Sequence, residues 1–175
     1  PRWHLAKGQV HSSWSQVDPE QIEPARRGYQ TALDLSPGSL EARYGLGILY
    51  AFRAGDAERG RDYLKEVARH QPITAKNRPV IRRARFALGR LEFETDNFSK
   101  ASRQFQSVIQ MRSISSQYRF LAYRNLGQTY VAMNQLNKAK DSYRKAYEIQ
   151  PTDSTVRRRL RELGVEVSDR YNRFE

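Results

Sequence analysis

The amino-acid sequence predicts an all-α chain of helical hairpins stacked side by side and closed by a C-terminal capping helix. Three observations carry this. Wherever a pattern is clear, apolar residues recur at helical rather than strand spacing. Small residues stand at matching places in successive segments, at Ala25, Gly60, Ala101 and Ala139, separated by 35, 41 and 38 residues. Prolines mark the exits of three of these segments, at Pro37, Pro72 and Pro151.

The clearest element is residues 123–151, YRNLGQTYVAMNQLNKAKDSYRKAYEIQP. Tyr123, Leu126, Tyr130 and Met133 form one helical stripe, and Ala139, Tyr143, Ala146 and Ile149 a second, with Asn134-Gln135 between them. This reads as an antiparallel hairpin whose Gly127 and Ala139 are small because two helices approach closely there. Tyr123-x2-Leu126-Gly127-x2-Tyr130 with Ala139-x3-Tyr143-x2-Ala146-x4-Pro151 resembles a complete tetratricopeptide repeat. The pattern returns upstream. Ala25-x3-Tyr29-x2-Ala32-x4-Pro37 matches the second-helix half, and Leu46-Gly47-x2-Tyr50 with Gly60-x3-Leu64-x2-Val67-x4-Pro72 makes a repeat with one extra residue in its turn. Leu88-Gly89 with Ala101-x3-Phe105-x2-Val108 makes another that lacks the terminal Pro.

The resemblance implies a right-handed α-solenoid. Its parts would be a degenerate hairpin over 1–37, repeats over 38–72, 79–112 and 117–151, a capping helix over 152–164 and a tail over 165–175. LAKGQVHSSWSQ must serve as the first helix of the degenerate hairpin, before a break at Asp18-Pro19. The repeats are longer than the family's period of about 34 residues. Seven additional residues lie between Pro72 and Leu88, and four between Val108 and Leu126. Both read as N-terminal extensions of first helices, with Pro79 in the first turn of the longer one. In DSTVRRRLRELG, an Asp/Ser cap precedes Val156, Leu160 and Leu163 at i, i+4, i+7, which makes a helix apolar toward the last repeat and basic outward, with Arg157, Arg158, Arg159 and Arg161 on its polar face.

Composition narrows the chemistry. With no Cys among 175 residues, disulfides, Cys-ligated metal and a thiol nucleophile are excluded. His4, His11 and His70 stand apart from any nucleophile or carboxylate pair, and neither GRG nor GVEV has the setting of a phosphate loop. The sequence therefore predicts no catalytic, metal or cofactor site. No stretch approaches the roughly 20 apolar residues of a membrane helix. Cytoplasmic and bacterial-envelope settings are both compatible, and a start at Pro1 without a leader reads as a processed form or a segment of something longer. The net charge of +12 is uneven: residues 1–77 hold 11 Lys+Arg against 9 Asp+Glu, net +2, and residues 78–175 hold 20 against 10, net +10.

Stacked hairpins of this family leave a concave groove lined by first helices. The resemblance assigns to it Glu41, Tyr44, Ile48 and Ala51; then Arg83, Phe86, Arg90 and Phe93; then Leu121, Arg124, Gln128 and Val131. The middle set also follows from spacing alone, opposite an apolar stripe of Ile81, Ala84, Leu88 and Leu91. Guanidinium forks beside aromatic rings suit an extended anionic ligand. Two blander readings stand beside this one: the rings pack between helices, or 24 Arg against 7 Lys reflects composition only. The carboxylate clamp of some family members needs Asn where this chain has Ala87; Asn125 one repeat later is expected instead to hydrogen-bond between helices. The expected partner is an acidic or extended segment of a protein. Single-stranded nucleic acid is the alternative, as is an exported anionic or amino-sugar polymer or export partner at an envelope.

Overall fold

Eight helices run through the described residues, 21–71 and 73–167, of the computed structural model. They are α1 (Ile22–Leu35), α2 (Leu40–Phe52), α3 (Ala57–Arg69), α4 (Arg78–Glu94), α5 (Phe98–Ile109), α6 (Ser116–Ala132), α7 (Leu136–Ile149) and α8 (Ser154–Glu162). No strand occurs among the described residues. LAKGQVHSSWSQ, the Asp18-Pro19 break, His4, His11, Pro72 and residues 168–175 lie outside them.

Short polar side chains start four of these helices. Ser39, Asp56, Ser115 and Asp153 each accept the backbone N–H three residues on, from Ala42, Arg59, Tyr118 and Val156, at 3.3, 3.0, 3.4 and 2.8 Å. Each bond satisfies one of the donors that a helix start leaves unpaired. Thr74 and Asn77 precede α4 with a reciprocal pair: Thr74 N–H donates to Asn77 Oδ1 at 2.7 Å, and Asn77 N–H donates to Thr74 Oγ1 at 3.3 Å.

The turns share one device. After α4, Asn97 N–H bonds Glu92 O at 2.7 Å and Asp96 N–H bonds Phe93 O at 3.1 Å, with Asp96 at φ 58. After α6, Gln135 N–H bonds Tyr130 O at 2.8 Å and Asn134 N–H bonds Val131 O at 2.9 Å, with Asn134 at φ 56. Both are helix stops with a left-handed residue, a conformation Asp and Asn tolerate. The residue after each is already the N-cap of the next helix, so the chain reverses within a few residues. Between α2 and α3 the equivalent bond runs from Asp56 N–H to Tyr50 O at 3.1 Å, one residue longer, as the spacing predicts, with Gly55 at φ 71. A fourth such stop ends α8 at Gly164.

The helices fall into two compact units, residues 1–91 and 92–175, divided within α4. In the first, Tyr29, Leu46 and Tyr50 form a buried cluster joined by Leu33 and Tyr63, and the Tyr50 and Tyr63 rings stack at 5.9 Å. In the second, Phe120, Tyr143, Ala146, Val156 and Leu160 are buried together, flanked by Leu121, Tyr147, Val165 and Val167 among others. Each large apolar side chain so buried is worth about 1.5–3 kcal/mol. Leu46, Leu88, Leu126, Tyr130, Tyr143 and Ala146, the residues the repeat pattern needs inside, are all buried, as is the stripe Ile81, Ala84, Leu88 and Leu91 of α4.

Three expectations need correction. The insertion before Leu88 does not all become helix: α4 and α6 have 17 residues each against 13 in α2, so each gains about one turn. The rest precedes α4 as the segment that Thr74 and Asn77 brace. The cap helix does not turn all four arginines outward, because Arg157 is only 7% exposed, beside the buried Val156. In the sequence, Arg157 follows the apolar position directly and reads as surface; in the helix it borders the buried stripe. Finally, Asn125 Nδ2 donates to Leu121 O at 2.7 Å, a bond within α6 rather than between helices.

Candidate protein-interaction surface

In the first unit, the residues of α2 between its buried positions are half-exposed: Glu41, Tyr44, Ile48 and Ala51. Their spacing follows from the helix, since Ala42, Gly45, Leu46, Leu49 and Tyr50 occupy the core side. On α4, Arg83 and Phe86 are half-exposed and Arg90 is exposed. The two helices meet through these residues. Arg83 Nη2 donates to both Oε1 and Oε2 of Glu41 at 2.6 Å, and the same guanidinium sits 5.0 Å from the centroid of the Tyr44 ring. About two turns further along α4, the Arg90 guanidinium lies 4.9 Å from the centroid of Phe52.

Arginine and aromatic residues are thus paired, but across helices. The sequence stripe suggests Phe86 as the ring between the two arginines; Tyr44 and Phe52 of the preceding first helix add rings that the Arg83 and Arg90 guanidinium groups approach from across the hairpins. Phe52 and the role of Glu41 are what sequence reasoning missed. Glu41 was visible as a position on the face but not as the counter-ion of a residue 42 positions away. Not every arginine of α4 belongs to this face. Arg85 Nε donates to the carbonyl of Ala68 at 3.1 Å, near the C-terminal end of α3, and burial pulls its pKa below the usual guanidinium range. It closes a carbonyl that the helix end leaves open.

In the second unit, Phe93 packs in its own hairpin, its ring centroid 5.4 Å from that of Phe98 at a tilt of 58°. On α6, Leu121 and Arg124 are half-exposed and Gln128 and Val131 exposed. Arg124 lies 5.5 Å over the Phe120 ring and 3.8 Å from Asp153, the N-cap of α8. Leu121 packs toward the core cluster that the cap helix completes. Tyr130 and Tyr123 carry a second set of cations, Lys138 and Lys145 of α7, each 5.6 Å from the ring. The antiparallel pairing of α6 with α7 places these two pairs in register. Tyr130 OH also accepts from Gln106 Nε2 of α5 at 2.8 Å.

Among the described residues, no group of three or more His, Asp or Glu is placed to hold a metal ion, and no helix is long and apolar enough to cross a membrane.

Among solved structures, the chain is similar to a crystal structure of MamA (22% identity, 82% of this chain and 77% of that one, TM-score 0.64). It is also similar to Pseudomonas aeruginosa PilF (16% identity, 91% and 67% covered, TM-score 0.72) and to MamA from Desulfovibrio magneticus (21% identity, 90% and 84% covered, TM-score 0.67). At these identities the likeness is one of fold. No curated protein matches the sequence. One tetratricopeptide repeat profile matches residues 14–72 and 48–117, more than half of the chain, and a second matches residues 120–153. With all-helical hairpins, small residues at the helix contacts and these matches, the chain belongs to the tetratricopeptide repeat family.

Proposed function

We infer that the chain is a non-catalytic interaction module, which binds an acidic or extended segment of a partner protein through its basic, aromatic-bearing first-helix surface. The supporting observation is the pair of guanidinium groups on α4, Arg83 and Arg90, each resting on a ring of α2. A ring engages the face of a guanidinium and a carboxylate bonds its edge, so the two kinds of contact are compatible. Tyr44, Ile48 and Phe86 supply apolar contact beside them. Family membership supports protein interaction in general, and the uneven +12 charge favours an acidic partner.

Charge reversal tests this reading. A fluorescein-labelled Glu-rich peptide should lose binding to Arg83→Glu with Arg90→Glu, while thermal stability changes by less than about 1 kcal/mol, as for an exposed ion pair. The matched control is Arg158→Glu with Arg161→Glu on α8, both exposed. Unchanged affinity in the α4 variant, or loss only in the α8 variant, would overturn it.

A further inference from the structure

We propose that Glu41 is a built-in competitor for the ligand: its carboxylate occupies Arg83 in the free protein and is displaced when an acidic side chain of the partner takes its place. This rests on the reading above and adds a selectivity device to the same site.

The pair is made so that it can open. Its two members are 33% and 37% exposed at their side chains, so water reaches both and the bond contributes little to holding α2 against α4. Each helix also buries apolar groups of its own, Leu46 and Leu49 on α2 and Ile81 and Leu88 on α4, whose burial does not depend on the ion pair. The bonds are also incomplete. Both come from Nη2 alone, where a carboxylate and a guanidinium at their strongest form two parallel bonds from two nitrogens. Nε and Nη1 of Arg83 have no hydrogen-bond partner among the described residues, which leaves an edge on which an incoming carboxylate can form the better fork.

Neither partner is stranded by the exchange. Arg83 keeps a second contact, because its guanidinium also lies 5.0 Å from the centroid of the Tyr44 ring. Glu41 lies in the first turn of α2, where the helix dipole favours a negative charge and solvent can take over its lone pairs. The consequence for recognition is selective. A lone weak anion gains nothing by replacing one carboxylate with another. A segment that also reaches Arg90 and the neighbouring rings gains those contacts, so Glu41 raises the threshold against isolated anions and favours an extended acidic peptide.

The test uses the full chain and a fluorescein-labelled hexaglutamate peptide, with hexaglutamine as the uncharged probe, in anisotropy titrations at fixed salt. Glu41→Gln keeps the shape and removes the competing charge. It should bind hexaglutamate about two- to fivefold more tightly than the parent, the range to which the worth of an exposed ion pair converts. Arg83→Gln should bind more weakly, and in Glu41→Gln with Arg83→Gln most of the gain should vanish. Equal affinity for parent and Glu41→Gln, or a gain that persists without Arg83, overturns the proposal. If the parent binds and Arg83→Gln and Arg90→Gln weaken it while Glu41→Gln does nothing, only the competitor idea falls. If the parent does not prefer hexaglutamate over hexaglutamine, the functional reading falls with it.

Discussion

Gly60 and Gly127 both sit where two helices touch, yet they should answer substitution differently. A Cβ on Gly60 would stand 2.4 Å from the backbone nitrogen of Ala51 and 2.6 Å from its Cα. Backbone cannot rotate away, so α2 and α3 would have to part. A Cβ on Gly127 would meet the Tyr143 ring at 2.9 Å, and a ring can shift by a few tenths of an ångström. Alanine in a helix interior also gains about 1 kcal/mol over glycine. Gly127→Ala should therefore be close to neutral in urea melts, while Gly60→Ala should cost about 1–3 kcal/mol and Gly127→Leu a similar amount by overpacking. A Gly60→Ala variant as stable as the parent would contradict the close approach. The ring itself carries a second expectation. Burial raises the Tyr143 pKa, aided by Glu162 and opposed by Arg159 and Arg124. A raised folded-state value means that the unfolded chain ionises first, so stability is whole below the ordinary tyrosine pKa of about 10 and falls as pH rises through the folded one. Tyr143→Phe should remove that share of the alkaline loss in melts from pH 8 upward and change little at pH 7.

At the scale of the element, α8 separates a structural arginine from solvated ones. Arg157 is 7% exposed, whereas the Arg158 side chain is 65% exposed and only 3.8 Å from Glu162. Arg157→Glu should cost about 3 kcal/mol or more by placing an opposite charge in a buried setting, and Arg158→Glu within about 0.5 kcal/mol. Equal melting temperatures for the two would refute the distinction. The same helix marks how far the sequence could be read. Its start at Asp153, its apolar stripe and its stop at Gly164 are local patterns of caps and period, and all were legible, as were Leu46, Leu126 and Tyr143 inside. Which arginine turns inward depends on the angle at which the cap meets α6 and α7, and no local pattern encodes that. The candidate surface divides along the same line. The positions of Arg83, Arg90 and Tyr44 follow from period and family, but Glu41 as counter-ion and Phe52 as ring partner depend on pairing across more than 35 residues, which exists only once α2 and α4 stand together.

For the whole molecule, the field is basic and concentrated after residue 77, where 20 Lys+Arg face 10 Asp+Glu. Arginines beside aromatic rings also suit a single nucleic-acid strand, whose bases stack and whose phosphates pair, so the class of partner must be separated by how binding responds to salt. A strand that neutralises several phosphates releases counterions, and log affinity then falls linearly with log salt by about 0.7 for each phosphate contact. A peptide held by Arg83 and Arg90, with contacts to Tyr44 and Phe86, engages few charges and should show a shallower line. Titrating hexaglutamate and a thymidine oligonucleotide from 50 to 300 mM salt, on the order of the range over which such slopes are read, gives both lines directly. The interaction-module reading expects the peptide to persist at the upper end, to be competed by unlabelled acidic peptide, and to be weakened by Arg83→Glu with Arg90→Glu. Tight, steeply salt-dependent binding to oligonucleotides of any sequence, untouched by acidic peptide, would make the arginine–aromatic surface a nucleic-acid site instead.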